Sequence, residues 1–96
     1  MSKIDKVIWS PLANDTFVEI IDYLVEKWSE VEASDFYDKV RVLITNLKKN
    51  NHLCPTAKVN GYRKCVVNKQ TSLVYRLNAD CIELIVFLDN RANHRY

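Results

Sequence analysis

The residues able to do chemistry fall almost entirely in the second half of the chain. They are Lys58, Arg63, Lys64, Arg76, Arg91, His94, Arg95 and Tyr96. Guanidinium and ammonium groups can hold a phosphodiester and stabilise the negative charge that builds on it. His94 or Tyr96 can carry a proton in such a reaction. The same set can equally dock an acidic peptide or protein groove, or form a solvated rim. No Ser-His-Asp, Cys-His or paired-carboxylate spacing stands beside it. Neither a Walker loop nor a dinucleotide fingerprint is present. No cofactor and no metal are expected.

The stretch 61–91 must position these groups. It reads as three strands, at 62–67, 72–77 and 81–88, joined by the short polar turns Asn68-Lys69-Gln70-Thr71 and Asn78-Ala79-Asp80. In the middle strand Leu73, Tyr75 and Leu77 share one face, and Ser72, Val74 and Arg76 the other. Arg63 shares its face with Cys65 and Val67. Whether the faces of Arg63 and Arg76 coincide depends on strand register, which alternation does not give. The third strand is apolar at nearly every position, as expected where both faces are covered. His94 would need the tail pinned back onto the sheet, because chain ends fray.

Upstream elements are legible from periodicity and caps. Residues 3–9 alternate loosely and read as a short first strand. Ser10-Pro11 then opens a helix, serine as N-cap and proline at the first helical position. Phe17, Ile20, Ile21, Leu24, Val25 and Trp28 follow at gaps of three and one, which places them on one helical face. Ser29 and Glu32 form a capping box that restarts the helix. Its second stripe is Ala33, Phe36, Tyr37, Val40, Leu43, Ile44 and Leu47. Lys48 and Lys49 suit the negative end of the helix dipole, and Asn50-Asn51 can end the helix. The short link predicts an antiparallel hairpin with both stripes buried. A polar loop, 52–60, leads to Gly61, the only glycine, which marks a turn or a close backbone approach. The order is β-α-α-β-β-β. We therefore expect an α+β fold: an antiparallel helical hairpin on one face of a small, mostly antiparallel sheet.

Composition bounds the rest. Ninety-six residues make one domain, residues 1–96. No apolar run approaches the roughly 20 residues needed to span a bilayer, and the N-terminus lacks a signal-peptide core. A cytoplasmic protein with no membrane partner is the expectation. Cys54, Cys65 and Cys81 are odd in number and show no metal spacing. Cys65 and Cys81 read as small packing residues on strands, with a disulfide or redox role as the alternative. Residues 1–50 carry seven basic and nine acidic side chains, net −2. Residues 51–96 carry seven basic and three acidic, net +4. The sheet half is thus the basic half, suited to RNA, DNA or an acidic protein partner.

The opening VIWSPLANDTFVEIIDYL, the helical pair, and GYRKCVVNKQTSLVYRLNADCIELIVFLDNR together resemble toxins of the RelE/ParE superfamily, the growth-inhibiting halves of bacterial type II toxin–antitoxin modules. The last segment is the most specific: a basic strand, a strand ending LVYR, then an apolar strand running into DNR. The resemblance covers nearly the whole chain. It implies a cognate antitoxin, a toxin–antitoxin hetero-oligomer and, as target, either DNA gyrase (ParE-like) or messenger RNA in the ribosome (RelE- and YoeB-like). The nuclease branch typically carries an arginine just before Leu-Val-Tyr; here it is Ser72. YoeB-like enzymes use a glutamate ahead of the first meander strand; here that region offers Leu53, and 52–75 hold no Asp or Glu. RelE-like lysines correspond to Arg63 and Cys65, whereas Tyr96 and His94 match the terminal pair. The resemblance therefore favours the ParE-like activity. Arg63, Arg76, Arg91, His94 and Tyr96 are the catalytic set only if the protein is a nuclease. Lys58, Arg63, Lys64, Arg76, Arg91 and Arg95 are the expected contacts to target or antitoxin. A non-toxic binding or autoregulatory remnant of the fold is the third possibility.

Overall fold

A computed structural model describes residues 3–91 and 96. Ser10 has the extended backbone of an N-cap, and its hydroxyl oxygen accepts from the Ala13 N–H at 3.0 Å. Proline follows, and the first helix, α1 (Pro11–Lys27), begins there. The expected restart is also present: Ser29 accepts from the Glu32 N–H at the head of α2 (Glu30–Lys49). The strands are β1 (Val7–Trp9), β2 (Arg63–Val66), β3 (Thr71–Leu77) and β4 (Ile82–Asp89). Gly61 has φ +88°, and an added Cβ there would meet nothing within 4 Å. Of the two expected reasons for glycine, the turn is the operative one.

The sheet order is β1-β4-β3-β2. β1 lies parallel to β4, and the other two pairings are antiparallel. The helical hairpin covers one face, so the α+β expectation holds. The main core gathers Phe36, Val40 and Leu47 from α2, Leu73 and Tyr75 from β3, and Ile82, Leu84 and Phe87 from β4, with Ala13 beneath α1. Among the described residues no helix is long and apolar enough to cross a membrane.

β1 has three residues and β4 has eight, so one edge of β4 outruns its neighbour. The register of β3 and β4 shifts at Val74/Tyr75, leaving Ile85 as the extra residue of a bulge. Helix α1 supplies the missing partners. The Ser10 N–H donates to the Leu84 carbonyl at 3.0 Å. Its hydroxyl donates to the Ile85 carbonyl at 2.8 Å. The Thr16 hydroxyl oxygen accepts from the Phe87 N–H at 3.0 Å. Backbone groups that would otherwise be left without a ladder partner are thereby satisfied, and the edge is covered.

These ties explain where the helical stripes end. α1 advances about 1.5 Å per residue alongside β4, meeting Ile85 at Ser10 and Phe87 at Thr16. It therefore passes the end of β4 before its last turn. Phe17, Ile20, Ile21 and Leu24 pack on the core as expected, but Val25 and Trp28 lie beyond the sheet and are exposed. Tyr37 is likewise exposed although its spacing places it on the buried stripe. Its ring still packs against Phe17, tilted by 57° with ring centroids 6.2 Å apart.

The cysteines depart from the simplest expectation. Cys81 is a buried free thiol. Cys65 is buried too, but bonded to Cys54 in a disulfide. The loop after α2 folds back along β2, which brings two residues 11 apart in sequence together.

Replacing Ser10 tests the tie between layers. Ser10→Ala removes both the cap and the bond to the Ile85 carbonyl. We expect a loss of about 1–3 kcal/mol in urea unfolding, with an unchanged m-value.

Candidate functional site

Register decides which side chains share a surface. Lys64 pairs with Val74, Val66 with Ser72, and Arg76 with Glu83. Their side chains lie on the sheet face away from the helices, together with Val86 and Leu88. Arg63 pairs with Tyr75 and so lies on the helix-side face. The strand arginines 63 and 76 thus occupy opposite faces, which sequence alternation left open.

The outer face has an apolar strip and a polar margin. Val74, Val86 and Leu88 form a second buried cluster, with Tyr62, Ile85 and Tyr96 packed against it. The Tyr62 and Tyr96 rings stack with centroids 5.8 Å apart and planes 26° apart. Tyr96 is therefore pinned on the sheet and helps close a strip that no helix reaches. His94 and Arg95, both expected site residues, lie outside the described residues.

Arg76 is committed locally. Its Nε donates to Glu83 Oε1 at 2.6 Å, and Asn78 Nδ2 donates to the same oxygen at 3.2 Å. That bond to Arg76 holds the Glu83 carboxyl below the ordinary glutamate value. In return, the Glu83 hydrogen bond pushes Arg76 higher. Ser72 is nearly fully buried, and its hydroxyl donates to Asn90 Oδ1 at 2.6 Å. Asn90 Nδ2 in turn donates to the Asn68 and Lys69 carbonyls, fastening the β2–β3 turn to the end of β4. Sequence reading passed over Asn90; its place in the quoted DNR run was the available signal.

Arg63 and Arg91 lie elsewhere. Arg63 Nη1 donates to the Cys54 carbonyl at 2.6 Å, so it serves the loop before β2. Arg91 follows β4, with Nε and Nη2 donating to the two Asp89 carboxylate oxygens at 3.0 and 2.9 Å. The Asp89 carboxylate raises the Arg91 pKa. This pair borders a cleft of about 400 Å³ under α1, whose walls include Glu19, Tyr23, Phe36 and Phe87. Lys58 is exposed on the loop before β2. Lys64 and Arg76 share the outer face, but Arg63, Arg76 and Arg91 do not converge. Among the described residues, no group of His, Cys, Asp and Glu is placed to hold a metal.

The Tyr75 hydroxyl donates to the Asn51 carbonyl at 2.9 Å from within the core. Burial pushes its pKa up, since the phenolate would be poorly solvated there. It acts as a buried strut, not as a proton carrier at neutral pH.

Fold and surface define a two-layer α+β domain with an open sheet face, whose basic side chains are spread over that face and the strand edges. The chain belongs to the family of ParE toxins of type II toxin–antitoxin systems (parDE), whose model matches residues 7–94. It is the toxin of such a system. Solved structures share the fold. One, from the chromosomal ParDE system of Pseudomonas aeruginosa, superposes with a TM-score of 0.73 at 15% identity, covering 88% of this chain and 94% of that one. A YoeB/ParE toxin from Agrobacterium tumefaciens gives 0.66 at 17% identity, covering 88% and 98%. A YoeB–YefM complex from Staphylococcus aureus gives 0.62 at 20% identity, covering 86% and 93%. No protein of curated function matches in sequence.

The Arg76–Glu83 pair makes a pH prediction. Glu83 has a lowered folded-state pKa, so its contribution is present above the unfolded value and is lost as pH falls through the folded one. Wild type should exceed Glu83→Gln in stability by a constant, small margin near neutrality. That margin should begin to shrink below about pH 4 and go on falling as the folded-state carboxylate, held lower by Arg76, takes up its proton. Paired urea titrations between pH 3 and pH 7, in roughly unit steps, measure it.

Proposed function

We propose that this toxin arrests growth by docking on DNA gyrase, not by cutting messenger RNA. The observation that carries the reading is the state of the middle strand. Where the nuclease branch has an arginine, Ser72 is buried and bonded to Asn90. The arginine on the same face, Arg76, is held by Glu83. A phosphodiester transition state needs preorganised cations, and removing one donor typically costs about 10²–10³ in rate. A gyrase-binding surface has no such requirement: it needs complementary shape and charge, which the half-exposed Tyr62 and Tyr96 rings covering the apolar strip, with Lys64 and Arg76 on the same face, supply.

On this reading Lys58, Lys64 and Arg76 contact the target or a cognate antitoxin, with Arg63 and Arg91 at separate edges; Arg95, the remaining expected contact, lies outside the described residues. The antitoxin neutralises the toxin in a hetero-oligomer in the cytoplasm, and an amphipathic, acidic segment fits the basic half of the chain. The solved YoeB–YefM complex supports expecting such a partner. A ribosome-dependent nuclease is the second reading. The Tyr62–Tyr96 stack beside Lys64 favours it, because paired rings next to a cation suit base stacking.

The two readings separate in one pair of assays. We expect purified toxin to inhibit gyrase supercoiling and to leave message on translating ribosomes uncut. Lys64→Glu should weaken the inhibition about tenfold, or ~1.4 kcal/mol. Message cleavage that Tyr96→Phe abolishes, with gyrase unaffected at large excess, would overturn the proposal in favour of the second reading.

A further inference from the structure

The loop between α2 and β2 lies along the outer edge of β2 and is held there in two different ways. One is a set of hydrogen bonds. The Lys64 N–H donates to the Pro55 carbonyl at 3.0 Å, and the Ala57 N–H donates to the Tyr62 carbonyl at 2.8 Å. Thr56 bridges to Arg63, whose guanidinium also reaches the Cys54 carbonyl. The other is the covalent Cys54–Cys65 bond. These restraints are redundant. Without the disulfide, the hydrogen bonds still bring the two cysteines side by side, with their Cα atoms 5.2 Å apart in the closed form.

We propose that Cys54 and Cys65 are a reversible redox latch on the edge of β2. In the disulfide state the loop is clamped over Arg63 and Lys64. In the dithiol state only hydrogen bonds hold it, and the edge opens more often. Cys81 does not compete for either partner. It is buried next to the β3–β4 turn, whereas Cys65 pairs with Leu73 toward the other end of β3.

The chemistry is thiol–disulfide exchange. The thiolate of a glutathione-type monothiol attacks Cys54 Sγ, the more accessible side of the bond, since Cys54 is 8% exposed and Cys65 2%. The S–S bond breaks, and its electron pair leaves on Cys65 Sγ, which takes a proton. A second thiolate attacks the mixed disulfide and releases Cys54 as a thiolate, which is then protonated. The protein disulfide gains two electrons and two protons, and two monothiols become one small disulfide. Oxidised glutathione drives the reverse reaction. Because both cysteines are buried, each direction waits on loop opening, so exchange is slower than for an exposed disulfide.

The test uses the full chain equilibrated with excess oxidised glutathione or with a dithiol reductant. Of the three cysteines, only Cys81 should react with an alkylating reagent after denaturation of the oxidised form, and all three after reduction. Hydrogen exchange at the Lys64 amide should be about 10- to 100-fold faster in the reduced form, as expected for removing a short closed loop. Cys54→Ser/Cys65→Ser should match the reduced form and ignore redox conditions. If that variant does not fold, the chemically reduced wild type serves alone. Three reactive thiols in excess oxidised glutathione, a disulfide including Cys81, or equal Lys64 exchange in the two states would each overturn the latch.

Its functional consequence rests on the docking reading above. Reduced toxin should inhibit gyrase several-fold more strongly than oxidised toxin. Equal inhibition would overturn that consequence and leave the latch to the exchange data. No inhibition in either state would instead count against the gyrase reading.

Discussion

The Ser10 hydroxyl joins the two layers of the molecule. It accepts from the first turn of α1 and donates to the carbonyl of the bulged Ile85 on β4. The underlying constraint is that every buried backbone group needs a partner. A three-residue β1 cannot satisfy an eight-residue β4, so Ser10 and Thr16 at the head of α1 complete the edge. That requirement fixes where α1 starts, how it runs along β4, and which of its apolar residues stay over the sheet. The opposite edge is treated similarly, with the loop before β2 pairing along Arg63 and Lys64.

With both helices on one side, the other face has no second layer of helix or sheet among the described residues. Its apolar strip of Val74, Val86 and Leu88 is covered instead by Tyr62 and Tyr96, residues that tolerate one wet side. Of the cations on this face, Arg76 is paired with Glu83, whereas for Lys64 it is the backbone N–H that is held, by the Pro55 carbonyl. A surface of this kind is better suited to recognition than to gathering charge on a transition state. The family assignment and the geometry agree at the level of a ParE-fold toxin.

Much of the fold was legible because its signals are local. Ser10-Pro11 and Ser29 with Glu32 marked helix starts, and apolar spacing marked helical faces. Alternation in 72–77 separated Leu73 and Tyr75 from Ser72 and Arg76, and the structure shows that the first pair faces the main core. The candidate site was less legible. Alternation assigns faces within a strand but not between strands, so Arg63 and Arg76 could not be assigned to the same or different surfaces. Cys54 and Cys65 looked unrelated because the loop between them has no periodic pattern. Val25, Trp28 and Tyr37 have the spacing of core residues, yet helical periodicity does not record where the sheet beneath them ends.

The sequence by itself determined the kinds, order and approximate limits of the elements, the concentration of positive charge in the sheet half, and the presence of Ser72, not an arginine, before Leu73-Val74-Tyr75. These depend on side chains within a few residues of one another. Only the tertiary structure decided that β1 inserts parallel beside β4, that Tyr96 returns to stack on Tyr62, that Arg63 and Arg76 part company, and that Cys54 meets Cys65. Each of those depends on contacts between residues distant in sequence. Such contacts are selected by the joint burial of apolar surface and the satisfaction of backbone polar groups, and neither can be evaluated one segment at a time.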